Sequence, residues 1–413
     1  MRYWFEIKLW KRIFFALVLG VIVGLIWGEG SESIRWIGDV FVRLIKMIVV
    51  PLVFVTLVAG IVSMGDPKRL GSIGLKAFLL YLFTTAAAIF VGLLVGSILK
   101  PGYGVDLSSA VVTEVQSSIN LMDRIYAIIP ENPIAALAEG NILAIIVFSL
   151  LLGTGIILSG EKGKIVGDFF LSASEVILKV THLIMELAPF GVFALITWVT
   201  GTQGISTFTN ILVLALAVYL GCFAHIIFVH GGIIRFIGRL SIFSFFRGAV
   251  DPQLVAYSTS SSAATLPVTI SAAEKNLGIG SPVASSVIPL GATVNMDGTA
   301  LYVGIVSLFA AQAFGIPLDF MDYIIIGLTT TMVSIGTASV PSASLFLLAA
   351  VLESIGITAS QTAIIVGFIL PFDRILDMMR TVVNVTGDLT VATIVAQSED
   401  ELDITEYNKK ESF

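Results

Sequence analysis

The sequence predicts an all-α polytopic membrane protein, and three observations predict it. Of its 413 residues 56% are hydrophobic and only 13% charged, with a mean hydropathy of +0.99, far more apolar than a soluble chain of this length. Uncharged apolar runs recur, among them 13–28, 77–99, 142–160 and 211–230, and several approach the roughly 20 residues that cross a bilayer as a helix. The third observation is a charged stretch where lipid should forbid one. Residues 371–388, PFDRILDMMRTVVNVTGD, hold five charged side chains in an otherwise apolar segment. Read as a helix, Asp373, Asp377, Arg380 or Thr381, Asn384 and Asp388 follow steps of three or four and share one face. Each ionised side chain near mid-bilayer costs roughly 2.5–3.5 kcal/mol against lipid. That face must look into protein, ions or water.

Taken in order, the chain opens with a basic stretch (Arg2, Lys8, Lys11, Arg12) before an apolar run. No small-residue cleavage site follows, so the run is read as a first membrane helix rather than a signal peptide. Helices are expected near 13–28, 38–63, 75–99, 133–159, 165–199 and 206–236, with 101–133 as an outer excursion rich in turn residues and charges. Between 242 and 395 the apolar segments are broken by small polar runs: STSSSAAT at 258–265, GATVNMDGT at 291–299, SIGTASVPSAS at 334–344 and the charged face at 373–388. Irregular backbone at membrane depth survives only where protein or water satisfies it. Two runs sit midway along apolar segments of about 30 residues, which suits a helix that enters, turns and leaves on the same side. The order is hairpin, helix, hairpin, helix, the pattern of a transporter built from inverted repeats. Close packing alone would explain the small residues, but not buried Asp297, Asp377, Arg380 and Asp388.

With the N-terminus inside, Lys68, Arg69, Lys76, Lys162, Lys164, Arg235, Arg239, Arg247, Lys275, Lys409 and Lys410 fall on the cytoplasmic side, against Arg35, Lys100 and Arg124 outside. This is the positive-inside asymmetry, and it places both termini in the cytoplasm of a cell-membrane protein. The single Cys222 excludes a disulfide framework within the chain. His182, His225 and His230 lie in apolar surroundings with no carboxylate cluster in sequence reach, so they read as packing or interfacial histidines rather than metal ligands. A net charge of −6 does not suggest a nucleic-acid partner, and the acidic stretch 398–403 reads as a solvated end.

The chemistry resides in the polar runs. Arg380 offers a planar fork of donors that matches a carboxylate, and Asp377, three residues earlier, offers an acceptor for an ammonium group. Together they suit a zwitterion with a second acid group. Asp297, Asn295, Asp388 and Asn384 supply hard oxygen ligands, to which Thr84, Thr85, Ser334 and Thr337 add hydroxyl and carbonyl oxygens. Such a set fits an alkali cation better than a transition metal.

The sequences SSSAATLP, NMDGTALY, SIGTASVP and DMMRTVVNVTGD, in this order and spacing, resemble the glutamate transporter family of dicarboxylate and amino-acid:cation symporters, from the first helix to about Ala396. The resemblance implies eight membrane helices and two re-entrant hairpins, assembled as a homotrimer in the bilayer. It divides the chain into scaffold helices at 1–74, a transport-domain helix at 75–100, an outer loop and scaffold helices at 101–203, a transport domain at 204–397 that moves like an elevator, and a polar tail at 398–413. It implies import of aspartate or glutamate coupled to Na+, with a proton-coupled acidic amino-acid or dicarboxylate symporter as the alternative. The implied substrate site comprises Ser261 and Ser262 at the first hairpin tip, Thr299 in helix seven, Val340 and Ser344 in the second hairpin, and Asp377, Arg380, Thr381 and Asn384 in helix eight. In it Asp377 would hold the amino group and Arg380 the side-chain carboxylate. Three implied sodium sites comprise Gly291, Asn295, Asn384 and Asp388; Thr293, Met296, Ser334, Ile335 and Thr337; and Tyr81, Thr84, Thr85, Asn295 and Asp297.

Three departures from the family pattern stand out. Archaeal members carry arginine at the position of Ser260 and mammalian members at Met378; here Arg374, one turn before Met378, is expected to supply the displaced guanidinium and tune the site. Val303 replaces the proton-carrying glutamate of mammalian members, so their proton and potassium coupling is not expected. Ser339, Ser342 and Ser344 stand where archaeal members have glycines and restrict the backbone of the second tip. A membrane-embedded hydrolase is disfavoured, because Ser260–Ser262 lack a base and the Tyr-Asp and Gly-x-Gly-Asp signatures of an aspartyl protease are missing. A channel is disfavoured because a buried Asp and Arg pair favours stoichiometric binding over free passage.

Overall fold

A computed structural model describes residues 9–63, 67–105, 129–140, 142–203, 207–334 and 343–409. The described residues are helical throughout, apart from short connections and one isolated bridge between Ile279 and Leu402. Helix α1 (Leu9–Trp27) leads through a 3-10 segment into α2 (Arg35–Ser63), followed by α3 (Pro67–Leu99). Where one helix is expected over 133–159, the structure has α4 (Pro133–Glu139) and α5 (Ile142–Leu158). The reason is Gly140, which ends α4 in the left-handed conformation at φ 76° that glycine adopts without a Cβ penalty. Likewise 165–199 divides into α6 (Lys164–Met185) and α7 (Ala188–Gln203). Pro189 sits in the first turn of α7, where its missing N–H goes unneeded, whereas it would break a continuous helix.

Helix α8 (Thr207–Ala224) continues as π-helix over His225–His230 and again over Ile233–Ile237. Then α9 (Ile242–Thr259) and α10 (Ser262–Lys275) pack on one another across a two-residue turn. Ser260 turns the chain at φ 53°, and the Ser261 hydroxyl caps α10 by accepting from the Ala264 amide. Helices α11 (Ser281–Val294) and α12 (Asp297–Ala313) form one apolar span interrupted at Asn295 and Met296, whose backbones leave the helical region. The pair α13 (Phe320–Ser334) and α14 (Ala343–Ser354) also pack together, with the turn between them outside the described residues.

Helix α15 (Ala359–Ser398) runs 40 residues from a Thr358/Gln361 capping box. The polar run at 373–388 lies within this one helix, as its reading as a helical face requires, so its polarity comes from side chains.

The elements pack in two groups. Helices α1, α2, α5, α6 and α7 rest chiefly on one another, whereas α3 packs on α8, α11, α12, α13 and α15, with α9 and α10 joined to this second group through α15 and α14 through α12, α13 and α15. Four stretches among the described residues are long and apolar enough to cross a membrane: Lys11–Phe41, Ile73–Leu99, Asn210–Ile237 and Ser281–Ala313. Their side chains Phe14, Ile26, Phe83, Phe90 and Phe228 face outward, as lipid-facing residues do.

The side chains of Ser398, Asp400, Glu401 and Asp403 are exposed, as the reading of a solvated end requires, while the backbone of the segment is anchored. Helix α16 (Ile404–Asn408) buries Tyr407, whose hydroxyl donates to the Ser241 carbonyl at 2.9 Å. The Gly280 amide donates to Glu401 O at 2.7 Å and the Asp403 amide to Gly278 O at 2.8 Å, while Lys76 pairs with Glu399 at 2.7 Å. Acidic composition suggested solvent, but one tyrosine and the paired backbone dock this segment on the α10–α11 connection.

Candidate functional site

Five elements build the site: α3, α8, the interrupted α11–α12 span, the α9–α10 tip and α15. On α15 the face expected from spacing is buried along its length, with Asp373, Asp377, Arg380, Thr381, Asn384 and Asp388 all at 7% exposure or less. Helix α12 is equally deep, since only Gln312 among its residues escapes full burial. The two helices meet at Gly298. A Cβ there would stand 2.7 Å from the Arg380 Cα, a distance no side chain tolerates, so glycine lets the start of α12 rest on the backbone beneath the arginine.

The Arg380 guanidinium donates through Nη2 to Asp377 Oδ1 at 2.8 Å and to Asp373 Oδ1 at 2.9 Å. Its carbon lies 3.9 Å over the Tyr302 ring, a cation–π contact. The remaining donors, Nε and Nη1, have no hydrogen-bond partner within the chain although fully buried. Buried donors left in this state are costly, and a free guanidinium N–H suits a carboxylate. Asp373 and Tyr302 belong to this centre although no role was expected for either. The signal for Asp373 was its place two turns before Arg380 on the shared face.

Beside it lie the oxygen-rich residues. Asn295, in the interruption between α11 and α12, donates from Nδ2 to Asn384 O and to Asp388 Oδ1, both at 2.9 Å. Its own Oδ1 is buried without a partner within the chain. Asn384 Oδ1 accepts from the Gly298 amide at 2.8 Å and its Nδ2 reaches Met296 Sδ at 3.3 Å. Gly291 is close against Asp388 and the Tyr81 hydroxyl. On α3, Tyr81, Thr84 and Thr85 share one face by their spacing, and Thr85 donates to Asp297 Oδ1 at 2.8 Å. Tyr81 and Thr84 instead donate to the carbonyls of Val287 (3.0 Å) and Tyr81 (3.1 Å). Thus Gly291, Asn295, Met296, Asp297, Asn384 and Asp388 come together around the interruption, with α3 alongside.

The remaining expected residues are placed as follows. Ser261 and Ser262 form the α9–α10 tip, and Thr299 lies buried in the first turn of α12. Ser344 is buried at the start of α14 with no partner for its hydroxyl within the chain. Thr293 and Ser334 donate to the carbonyls of Leu290 and Thr331, both at 3.0 Å. Val340, Ile335, Thr337, Ser339 and Ser342 lie outside the described residues. Arg374 donates to the Thr259 carbonyl at 3.1 Å, so it holds the α9–α10 tip against α15.

Two histidines overturn the expectation of packing residues remote from carboxylates. His225 Nε2 lies 3.3 Å, and His230 Nε2 3.7 Å, from Asp297 Oδ2. Residues five apart on an α-helix point about 140° apart. The π-helical turn between these two instead brings their rings into edge contact at 4.6 Å.

The chain is similar to known proteins over nearly its whole length. A family model described as the sodium:dicarboxylate symporter family matches residues 9–398. A proton/sodium-glutamate symport protein of Geobacillus stearothermophilus is 38% identical over 406 residues, covering 95% of each chain. A proton/glutamate-aspartate symporter of Escherichia coli is 38% identical over 414 residues, covering 95% of this chain and 93% of its own. A C4-dicarboxylate transport protein of Bacillus subtilis is 34% identical over 399 residues, covering 95% and 94%.

Proposed function

Because the chain belongs to the sodium:dicarboxylate symporter family, a family of membrane transporters and not of enzymes, we propose that it imports an acidic amino acid, aspartate or glutamate, coupled to sodium ions. The unpartnered Nε and Nη1 donors of Arg380 carry this reading. They leave the guanidinium a charge-assisted bond to offer a substrate side-chain carboxylate, while Asp377, 2.8 Å from Nη2, offers its carboxylate to the amino group. A substrate with both charges fits the centre better than a C4 dicarboxylate, for which Asp377 is a like charge. Thr381, Asn384, Thr299, Ser261, Ser262, Val340 and Ser344 complete the pocket in this reading.

The coupling ions take the oxygen-rich residues. The unpartnered Asn295 Oδ1 beside Asp388 supports one alkali cation with Gly291 and Asn384. Tyr81, Thr84 and Thr85 with Asp297 hold a second, and Thr293, Met296, Ser334, Ile335 and Thr337 a third. Relatives named for both proton and sodium make proton coupling the second reading, and the hard oxygen set favours sodium. In this reading one packing group, α1, α2 and α5–α7, is the scaffold of a homotrimer, and the other is a transport domain that carries α9–α10 and α13–α14 as re-entrant hairpins among eight crossings and moves as an elevator; the division of the helices into two groups supports the two domains.

Arg380→Ala tests the substrate assignment. Loss of a charge-assisted contact worth roughly 1.5–3 kcal/mol should weaken aspartate or glutamate binding about 10- to 100-fold. Unchanged affinity in a titration of the purified variant rejects the role.

A further inference from the structure

We propose that His225, His230 and Asp297 form a binding site for a divalent cation of the zinc class. Neither histidine belongs to the sodium sites described above; Asp297 is shared with one of them, through its other oxygen, and the inference does not rest on the identity of the coupling ion. Three features of the cluster carry it.

The first is geometry. One ligand atom from each residue lies within 4.8 Å of the others, and the Nε2 atoms of His225 and His230 stand 3.3 and 3.7 Å from Asp297 Oδ2. Zinc holds imidazole nitrogen and carboxylate oxygen at about 2.0–2.2 Å in a tetrahedron, which separates neighbouring ligand atoms by about 3.3–3.5 Å. Both histidine–aspartate separations stand close to that spacing, and the three ligand atoms lie near enough together for one cation to gather them.

The second is satisfaction. All three side chains are fully buried, yet both ring nitrogens of His230 and Nδ1 of His225 have no hydrogen-bond partner within the chain. A buried imidazole without partners is a poor packing residue, because apolar rings of the same size would fill the space without the penalty. Two neutral imidazoles that converge on one carboxylate are instead the donor set of zinc-class sites.

The third is the backbone. The π-helical segment His225–His230 is the device that sets both rings on one face, and such bulges gather at functional sites. Asp297 Oδ1 is meanwhile fixed by Thr85 at 2.8 Å, which leaves Oδ2 aimed at the histidines. A cation there joins α8 to α12 through the carboxylate that α3 already holds.

Cobalt(II) titration of the purified full-length protein in sodium-free buffer, read by visible absorption, tests the site. The wild-type chain should develop the intense bands of four-coordinate cobalt, saturating at a single equivalent and displaced by zinc. His225→Gln and His230→Gln should each weaken cobalt binding more than about 100-fold, beyond the 10- to 100-fold typical of losing an outer-shell partner. His182→Gln and Cys222→Ala should leave the spectrum intact. A wild-type spectrum of hydrated cobalt alone overturns the proposal whatever the variants do. So does a four-coordinate spectrum that survives both histidine substitutions in protein of unchanged elution profile.

Discussion

The segments Lys11–Phe41 and Ser281–Ala313 are both long enough to cross a bilayer, but in an apolar 18-residue stretch of each, 22% of the first and 100% of the second is buried within the chain. The buried stretch is the less apolar, with a mean hydropathy of 1.3 against 2.2. This reverses the rule of soluble proteins for a physical reason. Lipid accepts Phe14, Phe15, Ile22 and Ile26, which are half-exposed or more, at no cost. Asn295, Asp297 and the open backbone between α11 and α12 need partners that only protein, ions or water supply. In a membrane transporter, polarity within a span marks what is enclosed, and what is enclosed is where the ligands go.

Substitutions on the two sides should differ accordingly. Within the inner region Asn295→Ala removes an unpartnered oxygen and the donor to Asp388, and should raise the sodium concentration needed for substrate binding about 10- to 100-fold. An unshifted sodium dependence would take Asn295 out of the cation sites. Gly298→Ala forces a methyl group against the Arg380 backbone and should lower stability by roughly 1–3 kcal/mol, read as a drop in thermal midpoint in detergent. An unchanged midpoint would mean that α12 and α15 are not in the contact described. On the outer side Phe14→Ala should change stability by no more than about 0.5 kcal/mol. A larger loss would place α1 against another protein surface rather than lipid.

The face of α15 was legible because an uninterrupted α-helix keeps its period over 40 residues, so steps of three and four report a common side. The break at Asn295 and Met296 was legible as small polar residues within an apolar span. The histidine pair was not. Reading 206–236 as regular helix separates His225 from His230, and only the π-helical turn unites them; Asp297, their partner, is 72 residues away from His225 in sequence. The docking of the tail was not legible for a related reason: charge composition points Asp400, Glu401 and Asp403 to solvent, where they lie, while Tyr407 and the backbone bonds of Glu401 and Asp403 anchor the segment. Partnerships that cross between elements leave no periodic trace in either one.

The most direct test is uptake by purified protein in liposomes. An inward sodium gradient should drive accumulation of radiolabelled aspartate or glutamate, and its removal should abolish it. Equal accumulation under a proton gradient alone, with sodium absent, would contradict the assignment of sodium to the oxygen-rich residues around Asn295 and Asp297.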